Sequence, residues 1–222
     1  MYKTIKLGKI KTSKIELVDI AKAWLAISLA FAFVYSGASI ISGNITQMFS
    51  IYFLVMFIVS LFTAGLGFLL HELGHKFAAQ KYGCVAEFRA FDQMLYMAVG
   101  LAVFIGFIFA APGAVMISGQ ITRKENGIIS LAGPAVNYIL SAIFFVLMFM
   151  FPIKTSFFGT GINPFAIGFY INAWLGLFNL IPFGNFDGLK IFHWNRWVWG
   201  AMLGIGLLAT NLFGFRSMIF GF

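Results

Sequence analysis

Charged side chains are scarce in this sequence: 10% of its 222 residues are Asp, Glu, Lys or Arg. A soluble domain carries about 25%, so the deficit excludes an ordinary water-exposed globule. Between Lys22 and Glu72 there is no formally charged side chain at all. A bilayer span takes roughly 20 apolar residues, so this stretch has room for two helices and a turn. Cysteine is nearly absent as well. The single Cys84 excludes an intrachain disulfide and reads as a small buried hydrophobe rather than a nucleophile. There is no internal repeat, no low-complexity linker and no stretch that reads as a soluble domain. The polar leader is too long for the opening to be a cleavable signal peptide.

What is present is apolar: 61% hydrophobic residues, with 29 Phe. The net charge of +8 does not point to nucleic acid, because the basic residues form no stripe. They sit at the ends of apolar runs. Lys3, Lys6, Lys9, Lys11 and Lys14 precede the first; Lys76, Lys81 and Arg89 follow the second. Positive charge in short loops marks the cytoplasmic side. The partners to expect are membrane lipid and a membrane protein, with the N-terminus cytoplasmic.

Ser13 followed by Glu16 fits a helix-opening box. Apolar runs then predict spans over 23–41, 49–80, 128–151, 165–181 and 197–213, the last opening beside Trp194, Trp197 and Trp199 as interface anchors. Residues 81–92 are mixed and polar, and a further apolar run, 94–111, ends at Pro112-Gly113. The expected fold is an all-α polytopic membrane protein of about five to six transmembrane helices, with a re-entrant or extended segment near the active site. It forms one domain over 1–222, with a core about 50–195 and a basic cytoplasmic segment 1–22. Parity makes 94–118 the segment that enters and returns: positive charge lies both before it and at Arg123-Lys124 after it.

Chemistry concentrates in His71-Glu72-Leu73-Gly74-His75. Positions i and i+4 of a helix share a face, so two imidazoles can bind one zinc ion from one side. The intervening Glu can take the proton of a zinc-bound water. The bland alternative is two satisfied core histidines and a stray acid. An acid at mid-bilayer depth costs about 2.5–3.5 kcal/mol on insertion scales, which weighs against it. A catalytic zinc needs a third protein ligand and an open position. Among His193, Glu87, Asp92 and Asp187, Asp187 stands out, because Pro182, Gly184 and Gly188 break the helix around it. A helix-end acid beside a turn glycine reads equally well from spacing alone.

The ordered set of motifs resembles the site-2 protease family of intramembrane metalloproteases. His71-Glu72-Leu73-Gly74-His75 is followed by Asn179-Leu180-Ile181-Pro182, which leads to Asp187-Gly188. Gly133-Pro134-Ala135-Val136-Asn137 is similar to the family's G-P-x-x-N, and Pro112-Gly113-Ala114-Val115 to a segment of some archaeal members. The likeness covers about residues 60–195 and fits an archaeal-type member without a soluble sensor domain. It implies one zinc per chain held by His71, His75 and Asp187, with Glu72 as general base. It also implies that Asn179 holds the substrate backbone or the oxyanion. Asn137 would share that role or make a helix-packing hydrogen bond, and Lys190 would be a cytoplasmic anchor. The apolar stretch 94–111 departs from the short hairpin of many members.

The function this implies is hydrolysis of peptide bonds within or near transmembrane segments. Prenyl-protein proteases take a Glu as third ligand in a long soluble region that is not visible here. A metal transporter would spread acids and histidines through its spans, and a dead relative would lack Glu72. A helical substrate hides its peptide bonds and must unwind, so an exposed strand edge is expected to hold it.

Overall fold

The computed structural model describes residues 4–7, 10–108, 112–151 and 163–211. A short antiparallel hairpin, β1 (Thr4–Leu7) and β2 (Ile10–Ser13), leads into helix α1 (Lys14–Ser36). Ser13 Oγ accepts the Glu16 N–H and starts the helix. Gly37, at φ 68, ends it in the left-handed region that favours glycine. Helices α2 (Ile51–Ser60) and α3 (Leu66–Lys81) form one continuous 31-residue rod through a π-helical turn, Leu61–Gly65.

A strand β3 (Val85–Ala90), helix α4 (Asp92–Ile105) and strand β4 (Gly113–Ser118) follow. Next comes α5 (Arg123–Met150), opened by a reciprocal box between Thr122 and Glu125. Helix α6 (Pro164–Phe178) starts at Asn163, whose Oδ1 accepts the N–H groups of Phe165 and Ala166. Helices α7 (Asp187–Trp194) and α8 (Arg196–Asn211) are the last described elements.

Helices α3, α5 and α6 pack on one another, α7 lies against α5, and α1 lies against α2, α4 and β3. Three helices, 14–36, 51–81 and 123–150, are long and apolar enough to cross a bilayer. With many large apolar side chains facing outward, such as Phe49 at 84% and Trp197 at 89% exposure, length and composition make this a membrane protein. The expected 165–181 run is shorter as a helix. Asn179 caps α6 and Pro182 lies in the break that follows. Residues 212–213 of the last expected span and 109–111 of the apolar run fall outside the described residues.

The helical expectation needs one amendment, because residues 81–92 are not simply a polar loop. Ala86 and Phe88 are buried while Val85 is exposed, the two-residue period of a half-buried strand. β3 pairs antiparallel with β4, Val85 opposite Ser118 and Ala90 opposite Gly113. The Phe91 N–H donates to Pro112 O at 3.0 Å. The excursion through α4 therefore leaves and returns at one point beside the end of α3.

Candidate metal centre

His71 and His75 lie one turn apart on α3, 4% and 8% exposed. Asp187 opens α7, 7% exposed, in a first turn where the helix dipole favours a carboxylate. Its Oδ2 lies 3.3 Å from His71 Nε2 and 3.0 Å from His75 Nε2. The break that delivers it is held by Gly188, whose N–H donates to Asn179 O at 2.7 Å. A Cβ on Gly188 would come within 2.7 Å of Ile181 O, so only glycine lets the chain turn this tightly.

The outer nitrogens of both imidazoles are engaged. His71 Nδ1 lies 2.6 Å from Asn137 Oδ1, and His75 Nδ1 lies 2.8 Å from Ile129 O, both on α5. Asn137 is fully buried, and its Nδ2 donates to Gly67 O and to Asn172 Oδ1, which fixes its oxygen toward the histidine. Facing two acceptors, each Nδ1 carries the hydrogen and each Nε2 keeps its lone pair. Two nitrogen lone pairs and a carboxylate oxygen thus converge, an arrangement that a cation satisfies and that backed imidazoles characteristically make. Space is kept for it: a Cβ on Gly133 would stand 2.6 Å from His71 Nε2 and 2.5 Å from His75 Cε1. Two nitrogens and one oxygen suit zinc, and three protein ligands leave a position open.

Glu72 points to the sheet. Its Oε2 accepts the Val115 N–H of β4 at 3.0 Å. Asn179 caps α6 at the start of the break. Its Nδ2 donates to Leu175 O, and its carbonyl holds Gly188. Lys190 Nζ is 3.7 Å from Asp187 Oδ1. The other candidate ligands are elsewhere: Glu87 pairs with Arg89, and Asp92 with Lys22. Cys84 is buried among Ala79, Ala86 and Ile129. The link between β4 and Glu72 is a tertiary contact with little trace in the sequence. Its only signal was the alternation of Ala86 and Phe88 with Glu87 and Arg89.

A buried His-His-Asp group with a glutamate beside the first histidine, at the end of a long apolar helix, defines a zinc-peptidase type of centre in a membrane protein. Relatives agree. A Methanocaldococcus jannaschii protein provisionally named a zinc metalloprotease is 39% identical over 202 residues, which cover 90% of this chain and 95% of that protein. The chain belongs to this zinc metalloprotease family, and zinc is its metal. A longer protein of the same organism, named a zinc metalloprotease, is 26% identical over 73% of this chain and 39% of its own length. A Bacillus subtilis protein provisionally named a zinc metalloprotease is 29% identical over 56% of this chain and 63% of its own. No family model matches the chain, and no solved structure matches it.

Proposed function

We propose that this metalloprotease is of the site-2 type and cuts peptide bonds within or near the membrane-spanning segments of other proteins. The observation that carries the reading is the position of His71, His75 and Asp187, buried among apolar helices rather than on a soluble domain. From Ile51 to His71 the rod rises about 30 Å, a full hydrocarbon thickness. His71 then lies near one face of the bilayer, where water can reach it. With the basic residues inside, that face is the cytoplasmic one.

His71, His75 and Asp187 would hold the zinc, which would supply a Lewis acid for the scissile carbonyl and for the attacking water. Glu72 is placed to take a proton from the attacking water and to deliver it to the leaving nitrogen. The Val115 N–H holds Oε2 in place, and Oε1 has no donor among the described residues, so it is free to move the proton. Asn137 keeps His71 in the tautomer that presents Nε2. Asn179 Oδ1 is the candidate contact to the substrate backbone.

Substrate is held on β4. The Phe88–Val115 pair turns its N–H groups away from its own sheet, one to Glu16 and one to Glu72. By the antiparallel alternation, Val115 O and both backbone groups of Ile117 face the same way as the Val115 N–H. An unwound substrate segment can add to that edge as a strand, beside Glu72.

The test is cleavage of a tagged single-span substrate by purified protein, with zinc content measured on the same sample. Glu72→Gln keeps the shape but cannot take the proton. The variant should hold zinc as the wild type does and lose cleavage. Cleavage at the wild-type rate would refute Glu72 as the base. Wild-type protein that hydrolyses only soluble peptides would refute the intramembrane reading.

A further inference from the structure

Glu16 is completely buried, although it lies on α1, far in sequence from the metal ligands. Its Oε2 accepts Lys76 Nζ at 2.6 Å and Thr12 Oγ1 at 2.7 Å, and its Oε1 accepts the Phe88 N–H at 2.8 Å. Lys76 is 2% exposed and follows His75 on α3. Phe88 stands opposite Val115, whose N–H holds Glu72. One carboxylate thus ties the metal-bearing helix to the back of the strand pair whose front edge meets Glu72. Two flanking pairs tie α1 to the same excursion, Asp19 with Arg89 of β3 at 4.0 Å and Lys22 with Asp92 of α4 at 2.7 Å, and Gln80 Nε2 of α3 donates to Ala86 O of β3 at 3.1 Å. Both ion pairs include a partly exposed partner and so contribute little, and the Gln80 bond holds the start of β3 at Ala86 rather than the Phe88–Val115 pair.

We propose that Glu16 is a positioning residue: it sets the height of β3 and β4 against α3, so that β4 meets Glu72 and presents its edge to the metal site. A two-stranded ribbon is marginal by itself and takes its position from the elements it is tied to. Apart from Glu72, Glu16 makes the only side-chain-to-N–H hydrogen bond to β3 or β4 among the described residues. The proposal rests on the protease reading above.

The decisive variants separate the tie from the charge. Glu16→Met with Lys76→Met removes the buried pair at similar volume, a change cores commonly tolerate, but it leaves Phe88 without an acceptor. It should keep wild-type zinc content and cleave more slowly, by about tenfold or more. In Glu16→Gln the amide oxygen turns to the Lys76 ammonium and the amide NH2 faces Phe88, so cleavage should be slow as well. Adding Lys76→Met to Glu16→Gln frees that oxygen for Phe88 and should restore cleavage to within about threefold of wild type, a recovery of at least half the log-scale loss. Wild-type cleavage by the double-Met protein, or no recovery in the Gln–Met protein, overturns the proposal.

If any variant fails to bind zinc, amide exchange of the wild type decides. The Phe88 and Val115 N–H groups point out of the ribbon, and Glu16 and Glu72 are their acceptors. Fast exchange at both overturns the proposal, and slow exchange at both supports it. Absence of cleavage by the wild type would count against the protease reading alone, since exchange tests the tie separately.

Discussion

At the scale of single residues, the metal centre is built from two kinds of contact. The histidines and Asp187 offer their atoms to the metal; Asn137 and Ile129 O fix the rings that do so. These roles predict different outcomes on substitution. Asp187→Ala removes a donor, and zinc measured after dialysis should fall well below one per chain. Full retention would remove Asp187 from the ligand set. Asn137→Ala leaves all three donors but frees His71 to rotate, and it strands the Asn172 Oδ1 contact. Loss of such a backing partner weakens metal affinity by about 10–100-fold, so a competing chelator should strip the variant at correspondingly lower concentration. Unchanged chelator resistance would reduce Asn137 to helix packing.

At the scale of elements, legibility followed sequence distance. The histidine spacing was readable because a helix repeats locally. The break before Asp187 was readable because Pro182 and Gly188 mark it. The π turn at Leu61–Gly65 was not, since its residues read as ordinary apolar helix. What favours it is tertiary: Leu61 O accepts Trp24 Nε1 from α1 at 2.9 Å, and Ser28 packs against Gly65. The strands β3 and β4 were half legible. A re-entrant or extended segment was expected over 94–118, but its partner strand was not, because pairing across the α4 excursion leaves only a faint two-residue period in Val85–Ala90. Glu16 and Lys76, sixty positions apart, look like a helix-opening acid and a loop anchor until the fold joins them. Asn179 also has a structural part that its motif does not announce: its backbone carbonyl accepts the Gly188 N–H and holds the break.

At the scale of the whole molecule, the pairing of β3 with β4 supports the expected re-entrant path of 94–118. Phe91 and Pro112 are hydrogen-bonded neighbours, so the chain enters α4 and comes back at one level. The 14 residues of α4 rise about 21 Å, short of a hydrocarbon core of about 30 Å. A segment that returns to its start leaves the end of α3 and the start of α5 on one side. Lys81, Arg123 and Lys124 would then share that side, in keeping with the positive-inside tendency. An ordinary crossing would put Arg123 and Lys124 opposite Lys81. It would also pull β4 away from β3 and detach Val115 from Glu72. Cysteines placed at Gln120 and Asn126, in a protein with Cys84 replaced, should therefore react with an impermeant maleimide only from the side that labels the N-terminal segment. Labelling of both from the opposite side in sealed vesicles would refute the re-entrant arrangement, and with it the strand edge beside Glu72.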